Sequence, residues 1–340
     1  MRIILDAMGG DHAPLAPVEA AAQAVRELGV TVLLCGDEKQ ILTIAKERSI
    51  PMDGIEILHT EDVITMHDTP TDITRGKENC SMALGLKALR EGKGDAFVSA
   101  GNSGALLVGA TMFTRRIKGI TRAAMAPILP TAHGHAILMD AGANVECRPE
   151  MLLQFAMMGS IYMNKVMGIA NPKVGLINNG TEECKGRALE QQTYALLKDA
   201  PLEFYGNIEA REVPSGACQV LITDGFTGNI VLKLYEGMAS FFSKMIKSMF
   251  TGFGKLGALF IYKKLKAFRD SMDYKKVGGA VLLGIASPVI KAHGSSDGGA
   301  LFHAIGQAKT CVEGKVVETI VEALAAQKQA AKAEVKAEAE

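Results

Sequence analysis

Apolar residues in this chain fall in short, nearly continuous blocks rather than in strict alternation. The blocks occupy residues 2–5, 31–35, 55–58, 96–99, 136–139, 174–177, 203–205 and 220–223. Runs of this kind are the pattern of strands covered on both faces. Between them lie stretches with helical spacing, such as 18–28, 82–91 and 182–198. The alternation predicts repeated βαβ units with right-handed crossovers.

Six times an apolar run gives way to a loop of Gly with Asp, Asn, Ser or Thr, and then to a helix-like stretch. The loops are DAMGGDHAP (6–14), SAGNSGA (99–105), DAGANVE (140–146), NNGTEECKG (178–186), TDGFTGN (223–229) and KAHGSSDGG (291–299). If the strands run parallel, their carboxyl ends share one polar crevice, which is where open α/β sheets bind ligands. A loop that opens a helix presents free N–H groups and the positive end of the helix dipole, so the expected guests are anions. The cations beside these loops are Lys185, Arg187, Lys233, Lys291 and His293. Each alone reads as a surface charge; the convergence of loops singles out Lys185 and His293.

After Asn229 the pattern changes. Residues 230–249 are helical in spacing, 251–257 are glycine-rich and 258–272 are helical again. This predicts a helical hairpin over 230–276 projecting from an α/β body made of 1–229 and 277–325. Residues 326–340 form a low-complexity tail of Ala, Lys, Gln and Glu with a single Val. The hairpin tip carries Phe253, Leu256 and Phe260, more large apolar side chains than an exposed turn should hold. From Lys233 to Lys276 there are ten basic and three acidic residues, a net charge of +7. A cationic amphipathic segment of this kind suits a dimer interface, a membrane surface or both.

Elsewhere the charges offset that excess, since Lys+Arg and Asp+Glu both total 37. No global basic field exists to attract nucleic acid. The six cysteines are scattered without a Cys-x-x-Cys pair, which speaks for reduced thiols in a cytosolic compartment rather than disulfides or structural zinc. The start of the chain has too short an apolar run for a signal-peptide core. Residues 96–114 are uncharged, but Ser99, Asn102 and Ser103 interrupt them where a strand should turn into a helix, so a buried strand, loop and helix is expected.

Standard catalytic signatures fail one by one. There is no Walker phosphate loop and no G-x-G-x-x-G in the first turn. Residues 294–298 match G-x-S-x-G formally, yet only His303 follows Ser296 and no acid stands between Asp297 and it, so the hydrolase triad is not met. His133 and His135 lack a third ligand at a usual spacing, and no metal site is assigned.

DAMGGDHAP, GNSGA, the Gly180-Thr181-Glu182 and Lys185-Gly186 loop, GNIEAR (206–211), TDGFTGN followed by Lys233, and PVIKAHGSSD (288–297) closely resemble the bacterial phosphate acyltransferases. These are the acyl-carrier-protein:phosphate acyltransferases of phospholipid synthesis. The resemblance runs in register from Met1 to about Leu324, with Ser103 where a Thr is common and Asn179 where an aliphatic residue is usual. It implies a three-layer α/β/α sandwich with a mostly parallel sheet, related to isopropylmalate dehydrogenases and phosphotransacetylases. It also implies a cytoplasmic homodimer associated peripherally with the inner face of the cell membrane, which hands its product to a glycerol-3-phosphate acyltransferase.

The implied reaction is attack of inorganic phosphate on the thioester of a long-chain acyl group carried by acyl carrier protein, giving acyl phosphate. Phosphate is then the nucleophile, so no Ser or Cys nucleophile and no cofactor is called for. Such a site needs converging N–H donors and a cation. The residues expected to supply them are Lys185, Thr181, Ser295 and Ser296 for phosphate, and Asn102, Ser103, Asn144 and Asn229 for the thioester oxygen. His293 is expected to orient phosphate or shuttle a proton, and Asp224 and Asp6 to orient these donors or cap helices. The +7 segment is the expected dock for the acidic carrier protein, competing with membrane for the same charges. The competing readings are a hydroxy-acid dehydrogenase-like oxidoreductase, which would need clustered metal-binding Asp residues and an adenine pocket, and a non-catalytic lipid-synthesis scaffold, which would leave six polar loops unused.

Overall fold

The computed structural model describes residues 1–249 and 278–337. The continuous apolar blocks do form parallel strands, but in two sheets rather than one. The seven-stranded sheet has the order β3-β2-β1-β4-β12-β11-β5, built from β1 (Arg2–Asp6), β2 (Thr31–Gly36), β3 (Ile55–His59), β4 (Ala96–Ser99), β5 (Ala124–Ala126), β11 (Ala280–Leu283) and β12 (Val289–Lys291). The five-stranded sheet has the order β6-β7-β10-β8-β9, from β6 (Ile128–Thr131), β7 (Gly134–Met139), β8 (Val174–Asn178), β9 (Phe204–Glu209) and β10 (Val220–Ile222). Only the pairs β11–β12, β11–β5 and β6–β7 are antiparallel.

One extended segment serves both sheets. β5 and β6 are separated only by Pro127, which lacks an N–H and so interrupts the ladder. β5 runs with β4 and β12, whereas β6 runs against β7. The parallel strands of the two sheets therefore point in opposite senses, and their carboxyl ends approach each other around residues 125–128.

Side chains on successive strand positions pack to opposite faces. On one face of the larger sheet Ile3 and Leu5 meet α1 (Leu15–Leu28) and α8 (Gly298–Glu313); on the other Ile4 and Phe97 meet α3 (Ser81–Arg90) and α4 (Ser103–Gly109). These are the three expected layers. The smaller sheet is covered by α5 (Pro149–Lys165) and α6 (Ala188–Lys198) on one side and by α7 (Gly225–Met249) on the other. The buried cluster on the α1 and α8 side continues through Phe155, Met158 and Tyr162 of α5, so a single core links both sheets. Inside it Gln307 of α8 donates to the Tyr162 hydroxyl at 2.8 Å.

Among the described residues two further α-helices, α2 (Glu38–Glu47) and α9 (Val316–Ala337), lie outside this site-bearing region. The helix expected from residue 182 begins only at Ala188, and α7 starts four residues ahead of the expected boundary at 229 and runs unbroken to Met249. Phe253, Leu256 and Phe260, and most of the expected hairpin, lie outside the described residues.

Candidate functional site

The six loops sort into two groups of three, one for each sheet. In the first group the loops after β1, β4 and β12 are bound together. Asp6, at the end of β1, is buried and accepts hydrogen bonds from the hydroxyls of Ser81 and Ser99, each at 2.7 Å. Burial raises its pKa, and the two hydroxyls oppose that rise. Gly9 and Gly101 allow the loops to close on this carboxyl, because a Cβ on Gly9 would stand 2.5 Å from Asp6 Oδ2 and 2.7 Å from the Gly101 nitrogen. The Asp11 N–H then donates to the Gly294 carbonyl at 2.8 Å.

The loop after β12 begins at Lys291, only 7% exposed. Its ammonium donates to the Ala100 carbonyl at 3.4 Å and, more closely, to the carbonyl of Ala292. Burial pushes this amine down to about 8; Lys233 adds to the effect, while Asp6 and Asp11 oppose it. Two residues on, the His293 imidazole is exposed, and its Nδ1 lies 2.9 Å from Ser295 Oγ and accepts the Ser295 N–H at 3.2 Å. A neutral ring in this geometry carries its proton on Nε2. Ser296 is buried and its N–H donates to the His293 carbonyl, while Asp297 caps α8 by accepting the Ala300 N–H.

The second group gathers around Asp140 at the end of β7. This buried carboxylate accepts from the N–H groups of Met125, Ala143 and Asn144 and from the Asn144 side-chain amide, and burial raises its pKa against those bonds. The first turn of α7 rests directly on it. A Cβ on Gly228 would lie 1.9 Å from the Asp140 carbonyl oxygen, and one on Gly225 would lie 2.5 Å from the Asn144 carbonyl oxygen. Asp224 opens α7 by accepting the Thr227 N–H at 2.7 Å, and its other oxygen pairs with Arg187 at 2.5 Å. Arg187 also grips Glu190; the two acids together hold its guanidinium more firmly protonated, Glu190 most of all. Asn229 is exposed beside Gly142. The 178–187 loop is pinned by Asn178 to the Lys185 carbonyl, by Asn207 to the Glu182 carbonyl and by Gln191 to the Cys184 carbonyl. Its Thr181 and Lys185 side chains are left at the surface.

A cavity of about 140 Å³ opens beside the first group and is closed by α7; no residue of the second group's loops lines it. One end is polar, with Ser103, Lys291 and His293 from the first group and Lys233 from α7. Lys233 is paired with Glu236 at 2.9 Å. The remaining wall is largely apolar, formed by Met125, Pro127, Ile128, Leu129 and Pro130 of the shared segment and by Leu232 of α7. Cations next to an apolar trough fit a ligand with an anionic head and a hydrocarbon body.

A family model described as "Fatty acid synthesis protein" matches residues 1–319. A phosphate acyltransferase of Alkaliphilus oremlandii is 48% identical over 324 residues, covering 95% of this chain and 97% of that protein. One from Thermoanaerobacterium thermosaccharolyticum is 47% identical, covering 94% and 96%. The chain belongs to the phosphate acyltransferase family. Solved structures share the fold at low identity. A phosphotransacetylase from Streptococcus pyogenes matches with a TM-score of 0.63 at 14% identity over 92% of this chain and 94% of that one. The EutD phosphotransacetylase from Staphylococcus aureus gives 0.60 at 17% over the same shares. The chain is thus an enzyme of acyl transfer in lipid synthesis, and neither the dehydrogenase reading nor the scaffold reading stands against this membership.

Within this phosphate acyltransferase the residues expected from the sequence do not share one cavity: Thr181, Lys185, Asp224 and Asn229 are absent from its lining. Ser103 and His293 face the cavity. Asn102 spends its amide hydrogens on the Thr65 and Asp68 carbonyls and its oxygen on the Ala105 N–H, so it caps α4 and anchors the 65–68 loop. Asn144 likewise donates to Ala123 and Asp140. The Ser295 and Ser296 N–H groups are turned onto His293. Two residues gain importance that the sequence left in the background: Lys291, read there as a surface charge, and Asp140. Both are polar residues ending a buried apolar strand, a signal readable as an apolar run closed by one charged side chain.

Proposed function

We propose that this phosphate acyltransferase takes a long-chain acyl group from acyl carrier protein and passes it to inorganic phosphate in the cavity that the first loop group, the 125–130 segment and α7 line. A phosphate oxygen forms a bond to the thioester carbonyl carbon, whose oxygen becomes an oxyanion. The C–S bond then breaks, the thiolate leaves with the electron pair, and acyl phosphate remains. A thiol of pKa near ~8.5 leaves without acid assistance. The observation that carries this reading is the juxtaposition of Ser103, His293 and Lys233 with the apolar trough along residues 125–130. Phosphate belongs at the cationic end and the acyl chain along the apolar wall.

In this reading His293 donates from Nε2 to phosphate, with Ser295 fixing the ring. The resemblance assigns Lys185, Thr181, Ser295 and Ser296 to phosphate and Asn229 and Ser103 to the thioester oxygen, and of these Ser103 lines the cavity. Asp224 is a positioning residue for Asn229, because it caps the turn that carries it. The free N–H groups at the start of α8 add positive potential.

The protein acts as a homodimer on the cytoplasmic membrane face in the same proposal. Phe226, Ile230, Leu234, Met238, Phe241 and Met245 recur along one side of α7 and are all exposed. A stripe of this length is the kind of surface a second copy covers. The 230–276 segment, basic overall, meets acidic carrier protein or anionic lipid, with Phe253, Leu256 and Phe260 as its apolar contact. No described helix is long and apolar enough to cross a membrane. The deciding assay mixes purified protein with acyl carrier thioester and follows free thiol. Release only when phosphate is present is the expected result; release without phosphate, or none with it, ends the proposal.

A further inference from the structure

We propose that Lys291 is a catalytic residue, its ammonium donating the hydrogen bond that stabilises the thioester oxyanion as phosphate attacks. The inference deepens the acyl-transfer reading above and rests on it. An ammonium has three N–H donors. Two of them go to backbone carbonyls, those of Ala100 and Ala292. The third has no assigned protein acceptor among the described residues, and the side chain lines the cavity beside Ser103 and His293.

Burial makes this arrangement informative. Lys291 is 7% exposed, yet among the described residues no carboxylate oxygen lies within 4.0 Å of its nitrogen. A buried charge without an ion-pair partner is costly, and its retention points to an anion that arrives with the substrate. The groups that act on it from neighbouring elements are Asp6 from β1, Asp11 from the loop after β1, and Lys233 from α7. His293, from its own loop, and Glu236, paired to Lys233, share the cavity. Asp6 acts on it only from beyond ion-pair distance, its oxygens turned to the Ser81 and Ser99 hydroxyls.

A purely structural Lys291 would act as a pin between the loops after β4 and β12. The two roles predict opposite outcomes for Lys291→Met, which keeps the length and removes the charge. A catalytic ammonium predicts a kcat lowered about 10²-fold or more, as for loss of one oxyanion donor. The phosphate KM changes little and the thermal midpoint is unchanged or raised. A pin predicts a lowered midpoint with a rate near that of the wild type, and that result overturns the proposal. Lys291→Arg should recover part of kcat through its N–H donors.

The wild-type enzyme supplies a measurement independent of folding in the variants. An ammonium that must be protonated makes kcat/KM fall as pH rises through about 8, the value to which burial brings it in the free enzyme. That limb is lost in Lys291→Arg. A wild-type kcat/KM flat from about pH 7 to 9.5 overturns the role. If the wild type shows no phosphate-dependent thiol release at all, the acyl-transfer reading fails first and takes this proposal with it. Activity retained in Lys291→Met, with the wild type active, rejects Lys291 alone.

Discussion

Arg187 and Asp224 form a 2.5 Å ion pair that fastens the loop after β8 to the first turn of α7. Asp224 is only 3% exposed, whereas the Arg187 side chain is 63% exposed. The pair therefore has a buried acid satisfied from the surface. Removing the arginine leaves that carboxylate supported by the Thr227 N–H alone. Arg187→Met should lower kcat about tenfold through misplacement of Asn229, with thermal stability reduced but folding retained. Asp224→Ala also loses the helix cap, worth about 1 kcal/mol, and should fall further in urea denaturation. Equal rates in both variants and the wild type would show that the tie does not reach the chemistry.

His293 and Lys185, both assigned to phosphate in the proposal above, belong to loops of different sheets, and only His293 lines the cavity. Alanine at His293 should reduce the rate about 10²-fold or more, whereas alanine at Lys185 should act chiefly by raising the phosphate KM. Steady-state kinetics with phosphate varied separates the two effects. Near-normal rates for both variants at saturating phosphate would remove these residues from the site.

Burial raises the pKa of Asp6, so the sign of its contribution to stability is fixed. The folded state holds this proton more tightly than the unfolded chain, whose value is near 3.8. The stabilisation is complete below that value and is lost as pH rises through the folded-state pKa. Asp6→Asn cannot titrate. Relative to it, the wild type should lose stability as pH rises above about 4, measured by chemical denaturation at each pH. A constant difference between the two proteins would exclude the effect.

Gly228 is the tightest contact between α7 and the end of β7. Alanine there would drive a Cβ to 1.9 Å from the Asp140 carbonyl oxygen, backbone that cannot rotate away. Gly228→Ala should destabilise the protein by about 1–3 kcal/mol or more, seen as a lowered midpoint by circular dichroism.

The exposed stripe on α7 gives a test of assembly. Leu234→Glu with Phe241→Glu should convert a dimer to monomer in sedimentation equilibrium. Phe253→Ser with Leu256→Ser should instead reduce flotation with anionic liposomes and leave activity on soluble acyl carrier protein largely intact. Unchanged flotation would end the membrane role of that tip.

Much of the fold was legible because burial on both faces writes itself as continuous apolar blocks. β1, β2, β4, β7, β8 and β10 all stand within about two residues of their expected positions. β5, β6 and β11 were not legible. Residues 124–131 read AMAPILPT, with two prolines and little β-branching, and an apolar block records burial without naming its neighbour. That is also why one crevice was expected where two oppositely directed sheets exist. The start of α7 was misread for a related reason. Gly225 and Gly228 look like loop residues, yet they lie within a helix because any side chain there would strike Asn144 or Asp140. Among site residues, the convergence of loops singled out His293 and the family resemblance brought in Ser103, while the engagement of Asn102 and Asn144 with backbone carbonyls depends on loops distant in sequence.

The bond from Lys291 to Ala100 joins positions 191 residues apart. Its strand, β12, is the one that covers the free edge of β4. A chain emerging from the ribosome therefore carries β4 with an unsatisfied edge while the whole smaller sheet is being made. The cationic end of the cavity comes into existence only when β12 arrives. Chains that stop short of β12 thus lack Lys291 and His293, and with them the part of the cavity lining that closes over β4.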